Sequence, residues 1–302
     1  LGELRGGEFL AGSTYVALPA TAVGLRIDAM KQAGSGWQVP RIEWRDGEAL
    51  QANGTLAFDK DGALSSMAVD AGSGDMSPLR QRYLSGWMGL FGLGDVDLHG
   101  AMDLHVEAQG GALSRIDAIL HGVDLRDPAR RFVFDGLDGD LRYSASAPVR
   151  SELRWSGGQL YGLAFGAARL PMASADGQLR FGEDVHVPLM GGQLTLRDVV
   201  IQPPRDAAGM QIRFGLGLDD IDFGKVSQAL GLPAFQGRLS GRIPQARYAD
   251  ERIEFDGGLS LRLFDGRVAF SALSLERPFG SAPSLSADIA FDGLDLLRLT
   301  EV

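Results

Sequence analysis

The feature that most constrains this chain is an alternation of oily and polar residues with a period of two. Between Val96 and Glu107, Val96, Leu98, Met102, Leu104 and Val106 share one side, while Asp97, His99, Asp103, His105 and Glu107 share the other. Successive side chains of a β-strand point to opposite faces, so this stretch predicts one strand with a buried side and a solvated side. At about 3.3 Å per residue it would run about 40 Å, roughly twice an ordinary strand.

The same alternation returns at Val23-Leu25-Ile27, Leu137-Gly139-Leu141-Tyr143, Met210-Ile212-Phe214-Leu216-Leu218 and Phe235-Gly237-Leu239-Gly241-Ile243. It returns again at Leu259-Leu261-Leu263 and Leu285-Ala287-Ile289-Phe291, and its parity slips by one between Val268-Phe270 and Leu273-Leu275, the mark of a β-bulge. The 42 glycines are about twice the usual share, and many fall at turn signals such as Gly110-Gly111, Asp61-Gly62, Gly191-Gly192 and Asp265-Gly266. Together these predict an all-β chain, a long twisted antiparallel sheet with a few short helices.

Two helices are expected. Ser77-Pro78 reads as an N-cap followed by a first-turn proline, and Leu79, Tyr83, Leu84, Trp87, Met88, Leu90 and Phe91 then make an amphipathic helix over about 78–91. A shorter helix is expected over Gly224–Leu230, capped by Asp222 and closed by Gly231 and Pro233. An internal repeat supports the second cap: residues 218–226 match 291–299 without a gap, 73 positions later, keeping Asp222 in register with Asp295. Leu120–Leu125 is a weaker third copy, and the FDGLD string of 291–295 also occurs at 134–138. The organisation expected is one continuous repetitive segment over 1–302, with a sub-boundary near 109–111.

Composition narrows the function classes. The 29 basic residues are outnumbered by 39 acidic ones, and no Lys/Arg cluster offers phosphates a basic face, so nucleic-acid binding is not expected. There is no cysteine, which excludes disulfides, thiolate catalysis and Cys-held metals. The longest uncharged stretch, Phe9 to Leu25, is shorter than a membrane-spanning helix needs. His99 and His105 share a strand face about 20 Å apart, too far for one ion, and Asp97 with His99 or Asp103 with His105 reads as a solvated face. No HExxH, GxSxG, phosphate-loop or EF-hand pattern is present. The reading is therefore of a non-enzyme with no metal and no cofactor.

Specific motifs accumulate from Phe235 to Val302: Gly237-Arg238-Leu239-Ser240-Gly241-Arg242-Ile243-Pro244, then Phe264-Asp265-Gly266-Arg267-Val268, then Leu273-Ser274-Leu275-Glu276-Arg277-Pro278-Phe279-Gly280. Leu285-Ser286-Ala287-Asp288-Ile289 and Gly293-Leu294-Asp295-Leu296-Leu297-Arg298-Leu299-Thr300 complete them. This quarter of the chain resembles the C-terminal part of the bacterial AsmA-like envelope proteins, nearest the YdbH branch and more distantly YhdP and TamB. The resemblance implies a repetitive β-groove similar to bridge-like lipid transfer proteins. On that footing the chain is expected to be a periplasmic fragment of an inner-membrane-anchored protein of a Gram-negative cell envelope, with the N-terminal anchor missing from this sequence. Phospholipid transport between inner and outer membranes, outer-membrane biogenesis and an outer-membrane lipoprotein partner are further implications.

The alternation by itself leaves two alternatives. A sheet with one apolar face must cover it, and one good amphipathic helix is too little for strands along the whole chain. Either two sheets close on each other, as in a structural or scaffold protein of the envelope that binds a protein partner, or the face stays open as a groove for acyl chains. The residues expected on that face are Leu98, Met102, Leu104, Val106, Ile212, Phe214, Leu216, Leu259, Leu261, Val268, Phe270, Ile289 and Phe291, which would suit a groove or an ordinary core. Trp87 and Phe91 are the candidate lid or membrane contact.

Overall fold

The computed structural model describes residues 1–11, 14–32, 36–47, 49–90, 93–202, 209–233, 237–256, 259–263, 266–278 and 282–293, with backbone alone for 11, 14, 32, 87, 90 and 259–263. Backbone contacts divide the chain into two compact units, Leu1–Pro128 with Asp135–Leu153 and Ser174–Asp176, and Ala129–Phe134 with Arg154–Ala173 and Gly177–Val302. The expected all-β class is what the chain adopts, with long antiparallel sheet and few short helices.

The first unit opens with β1 (Gly2–Leu4) and a small hairpin, β2 (Glu8–Ala11) with β3 (Thr14–Ala17). A meander follows: β4 (Val23–Gln32), β5 (Gly36–Asp46), β6 (Leu50–Phe58), β7 (Leu64–Ser73), β8 (Asp97–Gln109) and β9 (Ala112–Arg126). Each pairs antiparallel with the next, and β1 pairs with β4. The strands β10 (Phe132–Ser144), β11 (Val149–Leu160) and β12 (Leu163–Ala175) contribute residues to both units.

In the second unit β13 (Gln178–Phe181) and β14 (Val185–Leu189) lie in turn against β15 (Gly192–Gln202), which pairs with β16 (Gln211–Asp222). Then come β17 (Arg238–Ala249), β18 (Arg252–Asp256), β19 (Leu259–Leu263), β20 (Gly266–Glu276) and β21 (Ser284–Asp292). Here β18 and β19 both pair with β20, as β13 and β14 both lie against β15.

The long strand β8 keeps its parity because the irregularity falls on its partner. Gly100 (φ +106) stands opposite Gly122 (φ +55), where one extra residue of β9 is absorbed between His99 and Ala101. A Cβ on Gly100 would meet the Gly122 carbonyl oxygen at 2.6 Å, so the bulge requires glycine there. The hairpin between β8 and β9 turns on Gly110-Gly111, both left-handed, as the sequence predicts. At the turn expected on Gly191-Gly192 the left-handed pair is Met190-Gly191, since Gly192 already pairs with Leu189. The predicted bulge in β20 is present, with Ala272 at φ 49 and a register shift between Ser271 and Ser274. The Asp265-Gly266 turn falls partly outside the described residues.

The sequence repeat is larger in space than in letters. Val185 pairs with Leu196 and Leu189 with Gly192; 74 residues on (185 to 259, 196 to 270), Leu259 pairs with Phe270 and Leu263 with Gly266. Leu179 pairs with Ile201, and at the same offset Ile253 pairs with Leu275. The left-handed bulge residue Asp198 recurs as Ala272. Thus β13–β16 and β18–β21 are two copies of one unit, although few of their side chains are identical. Of the matching segment 291–299, residues 294–299, including Asp295, lie outside the described residues.

Candidate functional site

Register, read strand by strand, assembles the apolar residues into rows. In the first unit one row runs Ile27, Ile42, Gly54, Val69, Val106, Ile116 across β4 to β9. The adjacent row runs Leu25, Trp44, Ala52, Ala71, Leu104, Ala118. On the other side of the same strands the row is Arg26, Glu43, Asn53, Asp70, His105, Asp117. In the second unit Leu179, Ile201, Ile212, Tyr248, Ile253, Leu275 and Leu285 form one unbroken row over seven strands.

What covers these rows decides their nature. No residue of the three apolar rows is buried; all are half-buried, except Ile27 and Leu285, which are 47% and 67% exposed. A second protein layer would reduce such side chains to the few per cent typical of a core.

Burial is deep where a helix lies on one end of the face, and it recurs away from the helices at Val39, Ala57 and Ala108 in the first unit and at Val199 and Ala246 in the second. In the first unit α1 (Met76–Leu79), a π-helical turn (Arg80–Leu84) and α2 (Ser85–Leu90) form one segment. Its buried Met76, Leu79, Tyr83 and Met88 accompany Val23, Val96 and Leu98 at the strand ends. The cap is Asp75, which accepts from the Ser77 N–H, and not Ser77 itself; Asp75 has the extended backbone a cap needs, so the helix begins two residues early and Pro78 falls in its first turn. The segment is tied down by a polar knot. Tyr83 donates to Asp46 Oδ2 at 2.6 Å, Arg82 donates to Asp46 Oδ1 at 2.7 Å, and the Trp44 indole N–H donates to the Tyr83 oxygen at 2.9 Å. Burial first, and the Asp46 hydrogen bond second, push the Tyr83 phenol well above its usual range, so it stays a neutral donor.

The second unit repeats the device. Asp222 caps α3 (Phe223–Ala229) by accepting from the Lys225 N–H at 3.1 Å, within one residue of the predicted start. Beside it Ile221, Leu239 and Val268, from β16, β17 and β20, form one buried cluster with Phe223, Val226 and Phe270 packed around them.

Of the expected face residues, Leu98 (5%) and Val268 (2%) are core under the helices. Met102, Leu104, Val106, Ile212, Phe214, Leu216 and Phe270 are half-buried, and Ile289 (50%) and Phe291 (65%) are exposed on β21. Leu259 and Leu261 pair with Phe270 and Val268 through their backbones, but their side chains lie outside the description. So does the side chain of Trp87, and Phe91 is outside the described residues. Trp44 and Asp46, not singled out from the sequence, form the knot with Tyr83, which was expected only as an apolar position of the helix; no periodic pattern marks the knot, because its members come from different elements.

On the polar faces histidines lie against carboxylates. His105 Nδ1 lies 2.7 Å from Asp70 and its Nε2 3.0 Å from Glu107, while His121 Nε2 lies 3.0 Å from Asp103. Among the described residues no group of three His, Asp or Glu side chains is placed to hold a metal ion. No family model, curated protein or solved structure gives a significant match to the chain.

Proposed function

We propose that the chain is a non-enzymatic lipid conduit, sheltering phospholipid acyl chains against the apolar faces of its sheet for transport between the inner and outer membranes. The observation that supports this reading is that the three apolar rows, continuous over six and seven strands, contain no buried residue. A hydrocarbon tail gains about 0.8 kcal/mol per buried CH₂, so a C16 tail offers roughly 12 kcal/mol against water. Contact along such rows is aliphatic and repetitive, which selects for hydrocarbon and not for a headgroup. The resemblance of 235–302 to AsmA-like proteins supports the same reading, and with it a periplasmic location in a longer, inner-membrane-anchored protein that meets an outer-membrane lipoprotein. Among the described residues no helix is long and apolar enough to cross a membrane.

The test is to purify the protein from cells and identify bound molecules by native mass spectrometry and solvent extraction. Phospholipid that co-purifies and is displaced by Phe214→Arg with Ile212→Arg, the fold being kept, is the expected result. Protein that is lipid-free and takes up no added phospholipid would refute the proposal.

A further inference from the structure

On the polar face of the second unit one row departs from the arginine–carboxylate pairing seen at several places in the chain. Several arginines lie against carboxylates, as in Arg115 with Asp117 at 2.6 Å, Arg126 with Asp135 at 3.0 Å and Arg197 with Asp184 at 3.1 Å. Arg213 of β16 and Arg247 of β17 instead face each other directly in the antiparallel register. Like charges placed opposite each other destabilise a sheet. Both are exposed, and among the described residues neither has an ion pair or a side-chain hydrogen bond. Glu254 faces Arg247 from β18, yet its carboxylate lies against Arg252 at 3.9 Å. Arg180 continues the row two strands away, beyond Val200.

We infer that Arg213 and Arg247 form a binding site for a phosphate-type oxyanion. The two guanidinium groups border a cleft of about 480 Å³ whose other polar walls are Gln202, Gln211, Gln245 and one carboxylate, Asp256. A tetrahedral oxyanion accepts paired N–H bonds from guanidinium forks, and glutamine amides add neutral donors without adding repulsion. A bound anion between Arg213 and Arg247 turns the opposed charges from a cost into a clamp. The site is on the reverse of the face that carries Ile212 and Phe214, so it is independent of any tail held there. The same chemistry is offered by a free phosphate ester and by the headgroups of an anionic membrane.

The experiment is thermal unfolding of the whole chain in inorganic phosphate against sodium chloride of equal ionic strength, with co-sedimentation on phosphatidylcholine vesicles with and without phosphatidylglycerol. Phosphate should raise the Tm of the unsubstituted protein, and Arg213→Gln with Arg247→Gln should weaken phosphate binding about tenfold or more. The Lys pair at the same positions should restore part of it. In phosphate-free buffer Arg247→Gln alone should raise Tm, since it removes one of two opposed charges. A phosphate response without vesicle binding assigns a free oxyanion, and arginine-dependent binding to the phosphatidylglycerol vesicles assigns a headgroup. The inference is overturned if neither probe gives a response that depends on these arginines.

Discussion

Asp46 is only 2% exposed, yet it is a carboxylate, and its two oxygens are spoken for by Tyr83 and Arg82. Removing one partner of a buried charged pair leaves the other stranded, so Asp46→Ala should cost about 3 kcal/mol in urea unfolding. Tyr83→Phe should cost about 1.5 kcal/mol, because the Trp44 N–H and one Asp46 oxygen each lose a partner. Equal losses would mean that the carboxylate is no more than a shape filler. His105 carries a different prediction. Hydrogen bonds first to Glu107 and then to Asp70 favour its imidazolium, so its pKa is raised in the folded protein. A raised folded pKa contributes stability that is complete below the unfolded value, about 6.5, and that disappears as pH rises through the folded value. NMR titration should find His105 above that reference and Glu107→Gln should lower it; an unchanged midpoint would remove the pairing from solution. These residue-scale facts were the least legible in the sequence. Trp44, Asp46 and Tyr83 meet across about 39 residues of chain, and nothing local announces such a meeting.

At the scale of elements the sequence was far more explicit, because strand faces and helix caps are local. The parity of β8, the slip in β20 and the cap of α3 were all readable from alternation and one aspartate. The first helix shows the limit: Ser77-Pro78 and Asp75 are both good signals, and only backbone geometry chooses Asp75. Asp75→Ala should therefore destabilise by about 1 kcal/mol while Ser77→Ala has a smaller effect. Asp222→Ala should cost a similar amount and loosen α3 from Ile221, Leu239 and Val268, which hydrogen exchange at Val226 to Leu230 would register as faster exchange. Register stayed out of reach from sequence. Alternation says which side a residue takes, but only pairing says that Ile27 and Ile116 belong to one row.

For the molecule as a whole, alternation tells which side of a strand is apolar, whereas the degree of cover was not predictable. Cover depends on how many layers form, and a single amphipathic helix in a sequence does not say how far it reaches. Here the helical segments cover the strand ends around Leu98 and Val268 and leave Val106, Ile212 and Leu285 half-open or open. The most direct measurement of that claim is site-specific photocrosslinking in cells, with the probe placed in turn at Val106, Ile212 and, as a polar-face control, Arg115. The account predicts phospholipid adducts at Val106 and Ile212 and none at Arg115; adducts to protein alone, or none at any position, would contradict it.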